Sequence, residues 1–143
     1  MPWVEKVEQN KDEAAINPDL MIERDDGYYD IYDLKTAALD KFSLTKGTRA
    51  RRRFIDYVNE GIAQLANYEE YFTFPANREV AWQKYRIKVE DPNLVLVVGN
   101  FDNVNRVEID EASRGYRNIT IIDYDSLMQL FLKPQGGLPG REK

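Results

Sequence analysis

Apolar and polar positions change their spacing several times along the chain, and each change marks an element. Trp3 to Val7 reads as a short strand or a turn of helix, and Lys6 to Glu13 is a highly charged, solvated stretch. Asn17-Pro18 interrupts the chain, after which Asp19 to Arg24 and Tyr28 to Lys35 read as two strands around the turn signal Asp25-Asp26-Gly27. A three-residue loop with Gly27 in the left-handed region sets Arg24 against Tyr28, Met21 against Ile31 and Asp19 against Asp33. A two-residue Asp-Gly loop instead sets Asp19 against Leu34 and turns the two aspartates to opposite faces. Register is therefore open at this level, and it matters.

Thr36 to Gly47 reads as a connection that can hold a short helical turn. From about Thr48 to Phe72 the period becomes helical. Ile55, Val58, Ile62, Leu65 and Phe72 recur on one side as a buried stripe, and Phe74-Pro75 closes the segment. Leu94 to Val98 is a continuous apolar run, expected as a strand covered on both faces. Val104 to Tyr116 reads as helix, Ile119 to Ile122 as a second buried strand, and Asp125 as the N-cap of a last helix through Leu132. The expected fold class is α/β, a mixed central sheet flanked by helices. Residues 1–133 form one domain in this reading, followed by a disordered tail, 134–143, rich in glycine and proline.

Composition changes the picture by exclusion. The 143 residues contain no cysteine and no histidine. Disulfide scaffolds, thiolate zinc sites, cysteine nucleophiles and Ser-His-Asp hydrolases are all removed. Hydrolytic chemistry must rest on carboxylates, lysine, tyrosine or a carboxylate-bound metal. No apolar run approaches the ~20 residues that span a bilayer, so no membrane partner and a cytoplasmic location are expected. The net charge of −5 argues against a passive nucleic-acid binder, but its distribution is uneven. Lys41 to Ile55 holds no acid and six bases: Lys41, Lys46, Arg49, Arg51, Arg52 and Arg53. Placed at the start of the long helix, these arginines add to a helix terminus that already favours phosphate. Solubility explains such a run equally well.

The candidate chemistry lies at the end of the second strand. Asp33 and Lys35 are two residues apart and share a face, while Asp19 starts the partner strand. Two carboxylates and an ammonium converging there make a site for a hard cation, Mg²⁺ or Mn²⁺, held by oxygen and open to phosphate. Such a cation activates water and offsets charge in attack at phosphorus, with Lys35 orienting the water or neutralising the developing charge. Gln64 and Tyr68 share a helix face, with Tyr57 and Tyr71 near the same azimuth, and can hydrogen-bond a phosphate, a base or the carboxylates. An Asp-x-Lys pair on a strand and a tyrosine-bearing helix side are individually common in proteins without such chemistry. Glu60, Glu69 and Glu70 read as solvated charges.

Pro18-Asp19, Asp33-Leu34-Lys35 and a helix bearing Gln64-x-x-x-Tyr68 together resemble the motif order of PD-(D/E)xK nucleases with a QxxxY helix. Asn17 to Ile22, Gly27 to Lys35, Ile62 to Tyr68, Val95 to Gly99 and Ile119 to Leu127 resemble the nuclease domain of Shedu anti-phage defence proteins, over roughly residues 17 to 132. The resemblance implies a restriction-endonuclease-like fold and metal-dependent DNA cleavage in anti-phage defence, with homo-oligomers common. It makes Asp19 and Asp33 metal ligands, Lys35 the catalytic lysine, and Gln64 and Tyr68 active-site or substrate-contacting residues. Lys46, Arg49, Arg51, Arg52 and Arg53 are the expected DNA contacts. Two departures stand out. Position 33 holds Asp where these relatives more often hold Glu, and the upstream helix that carries a further glutamate has only Glu5, Glu8 and Glu13 to draw on. A catalytically inactive module of the same fold, binding nucleic acid or a protein, is the competing reading. A purely structural oligomerisation domain is the third.

Overall fold

A computed structural model of the chain describes residue 1 and residues 16–35, 43–100, 105–116 and 118–136. The Trp3–Val7 element, the charged stretch that follows it, the connection up to Phe42 and the tail beyond Gly136 lie outside the described residues. Strand β1 (Leu20–Glu23) runs antiparallel to β2 (Tyr29–Leu34), with Met21 opposite Ile31. Arg24 N–H donates to Tyr28 O at 2.7 Å across a three-residue loop, and Gly27 takes φ 88°. Only a residue without Cβ adopts that conformation cheaply, so the glycine selects the loop and the loop selects the register. Arg24 secures the turn through ion pairs with Asp26 and Asp30.

The order of the main sheet is β1-β2-β5-β6, where β5 is Leu94–Val97 and β6 is Ile119–Ile122. β2, β5 and β6 are parallel, so the sheet is mixed and the chain is α/β, as its pattern predicts. β5 is buried along its whole length; β6 is an edge strand in which Ile121 alone is buried and Thr120 is exposed, less covered than its sequence suggests. Pairing fixes the faces. Ile31 and Asp33 lie beside Leu94 and Leu96, and this face packs under helix α1 (Asp56–Tyr71) with Val58, Ile62 and Leu65. Tyr32, Leu34, Val95 and Val97 point the other way, towards Leu127 of helix α4 (Tyr124–Gly136).

Four expectations are corrected. The helix does not begin at Thr48: Arg49–Arg51 is a 3-10 turn, and Arg53–Phe54 (β4) pairs antiparallel with Thr45–Lys46 (β3). Gly47 at φ 90° turns that small hairpin, Phe54 is buried by it, and Ile55 precedes α1 in an extended conformation. The arginine run therefore does not open a helix. Pro75 does not merely end α1 but starts helix α2 (Pro75–Tyr85), where a missing N–H is harmless at the first helical position. Arg86, left-handed at φ 57°, closes that helix. Tyr71, grouped with Gln64 and Tyr68 by azimuth, is wholly buried and edge-on to Phe72 in the core. Finally, Asp123 rather than Asp125 precedes α4 and caps it: its Oδ1 accepts from Ser126 N at 2.7 Å and its Oδ2 from Ser126 Oγ at 2.9 Å. The helix continues past Leu132 to Gly136.

Helix α3 (Arg106–Ala112) falls inside the expected Val104–Tyr116 span, and Asn105 caps it by accepting from the N–H groups of Val107 and Glu108. Among the described residues, no helix is long and apolar enough to cross a membrane.

Candidate metal centre

β2 ends with its Asp33 and Lys35 positions on the face that α1 covers, and Asp19 stands at the start of β1 directly across from Asp33. The observed register continues to that pair, and Leu34 N–H donates to Asp19 Oδ2 at 2.9 Å. The same bond that closes the end of the hairpin holds the Asp19 carboxylate beside its neighbour. Asp33 is 5% exposed. Burial, a hydrogen bond with Asp19 and the charge of Asp19 push its carboxyl up to about 6, against a smaller downward pull from Lys35. Of the buried polar side chains among the described residues, Thr45, Asn77 and Asp123 have complementary hydrogen-bond partners: Thr45 Oγ1 donates to Glu108 Oε1 at 3.1 Å, Asn77 donates to Tyr71 O at 3.0 Å, and Asp123 caps α4. The Thr45 partner is a carboxylate that its hydroxyl can serve as a donor. Asp33 instead faces another acid.

Lys35 does not fill the gap with an ion pair. Its Nζ lies 5.0 Å from the centre of the Tyr57 ring, and its Cε passes so close to Gly61 that an added Cβ would stand 3.2 Å away. Tyr124, from the first turn of α4, donates its hydroxyl to Lys35 O and fixes the backbone at that point. Burial first, and then the neighbouring Tyr57, Asp19 and Asp33, raise the Tyr124 hydroxyl, so it stays a proton donor.

α1 supplies the facing wall. Gln64 Nε2 donates to Tyr68 Oη at 2.8 Å, and Tyr68 Oη donates to Asn17 O at 3.2 Å. That chain ties the helix to the segment leading into Asp19. A cavity of about 570 Å³ lies between the walls, lined by Asp19, Asp33, Leu34, Lys35, Glu60, Ala63, Gln64 and Tyr68. All five residues expected from the sequence to share a site, Asp19, Asp33, Lys35, Gln64 and Tyr68, line this one space. Glu60, read from the sequence as a solvated charge, lines it too. No pattern distinguishes an exposed helix position above a cavity from one above bulk water, so periodicity carried no signal for it.

The basic residues behave differently, and none of them lines the cavity. Arg52 is committed inside the fold: Nε meets Glu111 Oε1 at 3.1 Å, Nη1 lies 3.4 Å from Glu108 Oε2 and donates to Gly47 O at 2.9 Å. Arg49 lines a separate open hollow with Ala50, Val107, Asp110, Glu111 and Arg114. Lys46 Nζ lies 3.7 Å from Asp56 in the first turn of α1. Arg51 and Arg53 are exposed.

The donor set is all oxygen, and the chain has no histidine or cysteine to offer. Among the described residues no three acidic groups stand close enough together to hold one ion. Two adjacent carboxylates nonetheless suit Mg²⁺ or Mn²⁺, which keep several waters and take few protein ligands. No protein-family model matches this chain, and no curated protein matches it.

Proposed function

We propose that the chain is a Mg²⁺- or Mn²⁺-dependent nuclease of the PD-(D/E)xK class, with a restriction-endonuclease-like fold, hydrolysing DNA phosphodiester bonds in anti-phage defence. A cytoplasmic location and assembly of several copies go with that proposal. One observation carries it: Asp33 is buried against Asp19, its one hydrogen-bonding side-chain partner among the described residues, and lines an open cavity. A buried like-charge pair costs free energy, and a divalent cation relieves it.

In this reading Asp19 and Asp33 hold the cation, whose bound form activates water and withdraws charge from a phosphate. Lys35 would set its ammonium beside the scissile phosphodiester, where developing negative charge is stabilised. Gln64 and Tyr68, already hydrogen-bonded in series, present an amide and a hydroxyl along the wall to orient the strand. Lys46, Arg49, Arg51 and Arg53 are exposed on the segment that precedes α1 and suit a phosphate backbone. Arg52 does not, because its guanidinium is already shared between two glutamates.

Asp33→Ala and Lys35→Ala are expected to reduce cleavage of plasmid or linear DNA in Mg²⁺ by at least about 100-fold while the far-UV circular dichroism is kept. Undiminished cleavage by both purified variants would remove the site from consideration. The competing reading, an inactive module of the same architecture, draws on two observations: Asp19 closes the hairpin end, and Lys35 lies against Tyr57. It predicts no carboxylate-dependent Mn²⁺ binding in calorimetry.

A further inference from the structure

Asp19 and Asp33 stand on one wall of the cavity, and Glu60 stands on the wall that α1 supplies. Glu60, Gln64 and Tyr68 succeed one another at four-residue spacing on α1, so all three look into the same space. Gln64 and Tyr68 are hydrogen-bonded there, whereas Glu60 makes no hydrogen bond or ion pair with any described residue. Glu69, further along the helix, is engaged: it accepts from Asn118 Nδ2 at 2.6 Å. Gly61, next to Glu60, carries no side chain to block the passage of Lys35, whose amine turns to the Tyr57 ring instead of Glu60.

Glu60 thus faces the two aspartates across open space with no partner among the described residues. The second observation is Asp33, more than nine-tenths buried, aimed into the same cavity and partnered only by Asp19. We infer that Glu60 is the third acidic group of the cation site, acting across an intervening water rather than as a direct ligand. The indirect role follows from spacing, because no three acids among the described residues can share one ion directly. Three carboxylates and one ammonium leave two negative charges in excess, which a divalent cation balances. The inference rests on the metal-dependent reading of the site.

Groups that hold the waters of a bound cation typically change metal affinity or activity by about 10–100-fold when removed. Mn²⁺ titration calorimetry, followed without DNA, tests this on the full chain. Glu60→Gln should weaken Mn²⁺ binding about tenfold or more, and Glu60→Asp should recover part of that loss. Asp25→Asn, which removes an equal charge in the distant hairpin turn, should leave affinity unchanged. The urea midpoint of Glu60→Gln should match wild type, since the position is exposed. If Glu60→Gln binds Mn²⁺ within about threefold of wild type while Asp33→Asn loses binding, Glu60 has no part in a site that is itself real. If the wild-type chain binds no Mn²⁺, the parent reading falls and takes this one with it.

Discussion

At the scale of single residues, Asp33 is where stability and chemistry conflict. Its carboxyl is held at about 6 from an ordinary 3.8, so the fold favours the protonated form. The sign follows from linkage: this group's contribution is complete below about pH 4 and is lost as pH rises through 6. In metal-free buffer at pH 7.5, Asp33→Asn should therefore stabilise the chain, by on the order of 2–3 kcal/mol. The gain should shrink towards pH 4.5. Urea unfolding in the presence of a chelator measures it, and destabilisation at both pH values would mean that Asp33 is neutralised by a partner. Adding Mn²⁺ should reverse the order, because only the acid can take up the cation and shed its proton. That carboxylate pair was legible in the sequence, since Asp25-Asp26-Gly27 allows few loops and one of them brings the acids together. Glu60 was not, because its surroundings are set by the sheet below and not by its neighbours in the chain.

At the scale of elements, the packing of α1 on β5 depends on a close approach at Gly61. An added Cβ would stand 2.5 Å from Leu96 Cδ1, and Leu96 is wholly buried, so its methyl groups have nowhere to swing. Alanine gains about 1 kcal/mol of helix propensity but overpacks a closed core at a cost of about 1–3 kcal/mol. Gly61→Ala should lower the urea midpoint and, by pressing on the Lys35 stem, reduce cleavage further than the stability loss explains. The arginine-rich segment makes a second test. Arg52→Ala should cost about 1–2 kcal/mol because a charged hydrogen bond to Glu111 and an ion pair with Glu108, both on α3, are lost at a partly exposed position. Arg53→Ala should leave thermal stability nearly unchanged and flatten the salt dependence of DNA binding. The two arginines are adjacent and chemically identical, so periodicity treats them alike. Only the acids of α3, more than fifty residues further on, separate them. The same limit explains α2: its buried residues are only Asn77 and Ala81, too few to mark a stripe.

At the scale of the whole molecule, an acidic chain with an acidic cavity repels the polyanion that the proposed function requires it to bind. Under that proposal, metal governs the encounter as well as the chemistry. DNA affinity measured by filter binding at fixed ionic strength should be at least about tenfold tighter in Mg²⁺ than in chelator, and Asp33→Asn should narrow that ratio. An unchanged ratio favours the inactive module. The parallel strands, the helix that crosses them and the hairpin are each ordinary; what is particular is how they are joined. The turn at residues 25–27 lies about 17 Å from the paired acids, five strand residues away. It touches nothing in the cavity, yet its length works as a ruler. Gly27→Val, which closes the left-handed conformation this loop requires, should let the register slip by one residue and turn the two carboxylates to opposite sides of the sheet, so that a search for inactivating mutations confined to the cleft would overlook its most distant determinant.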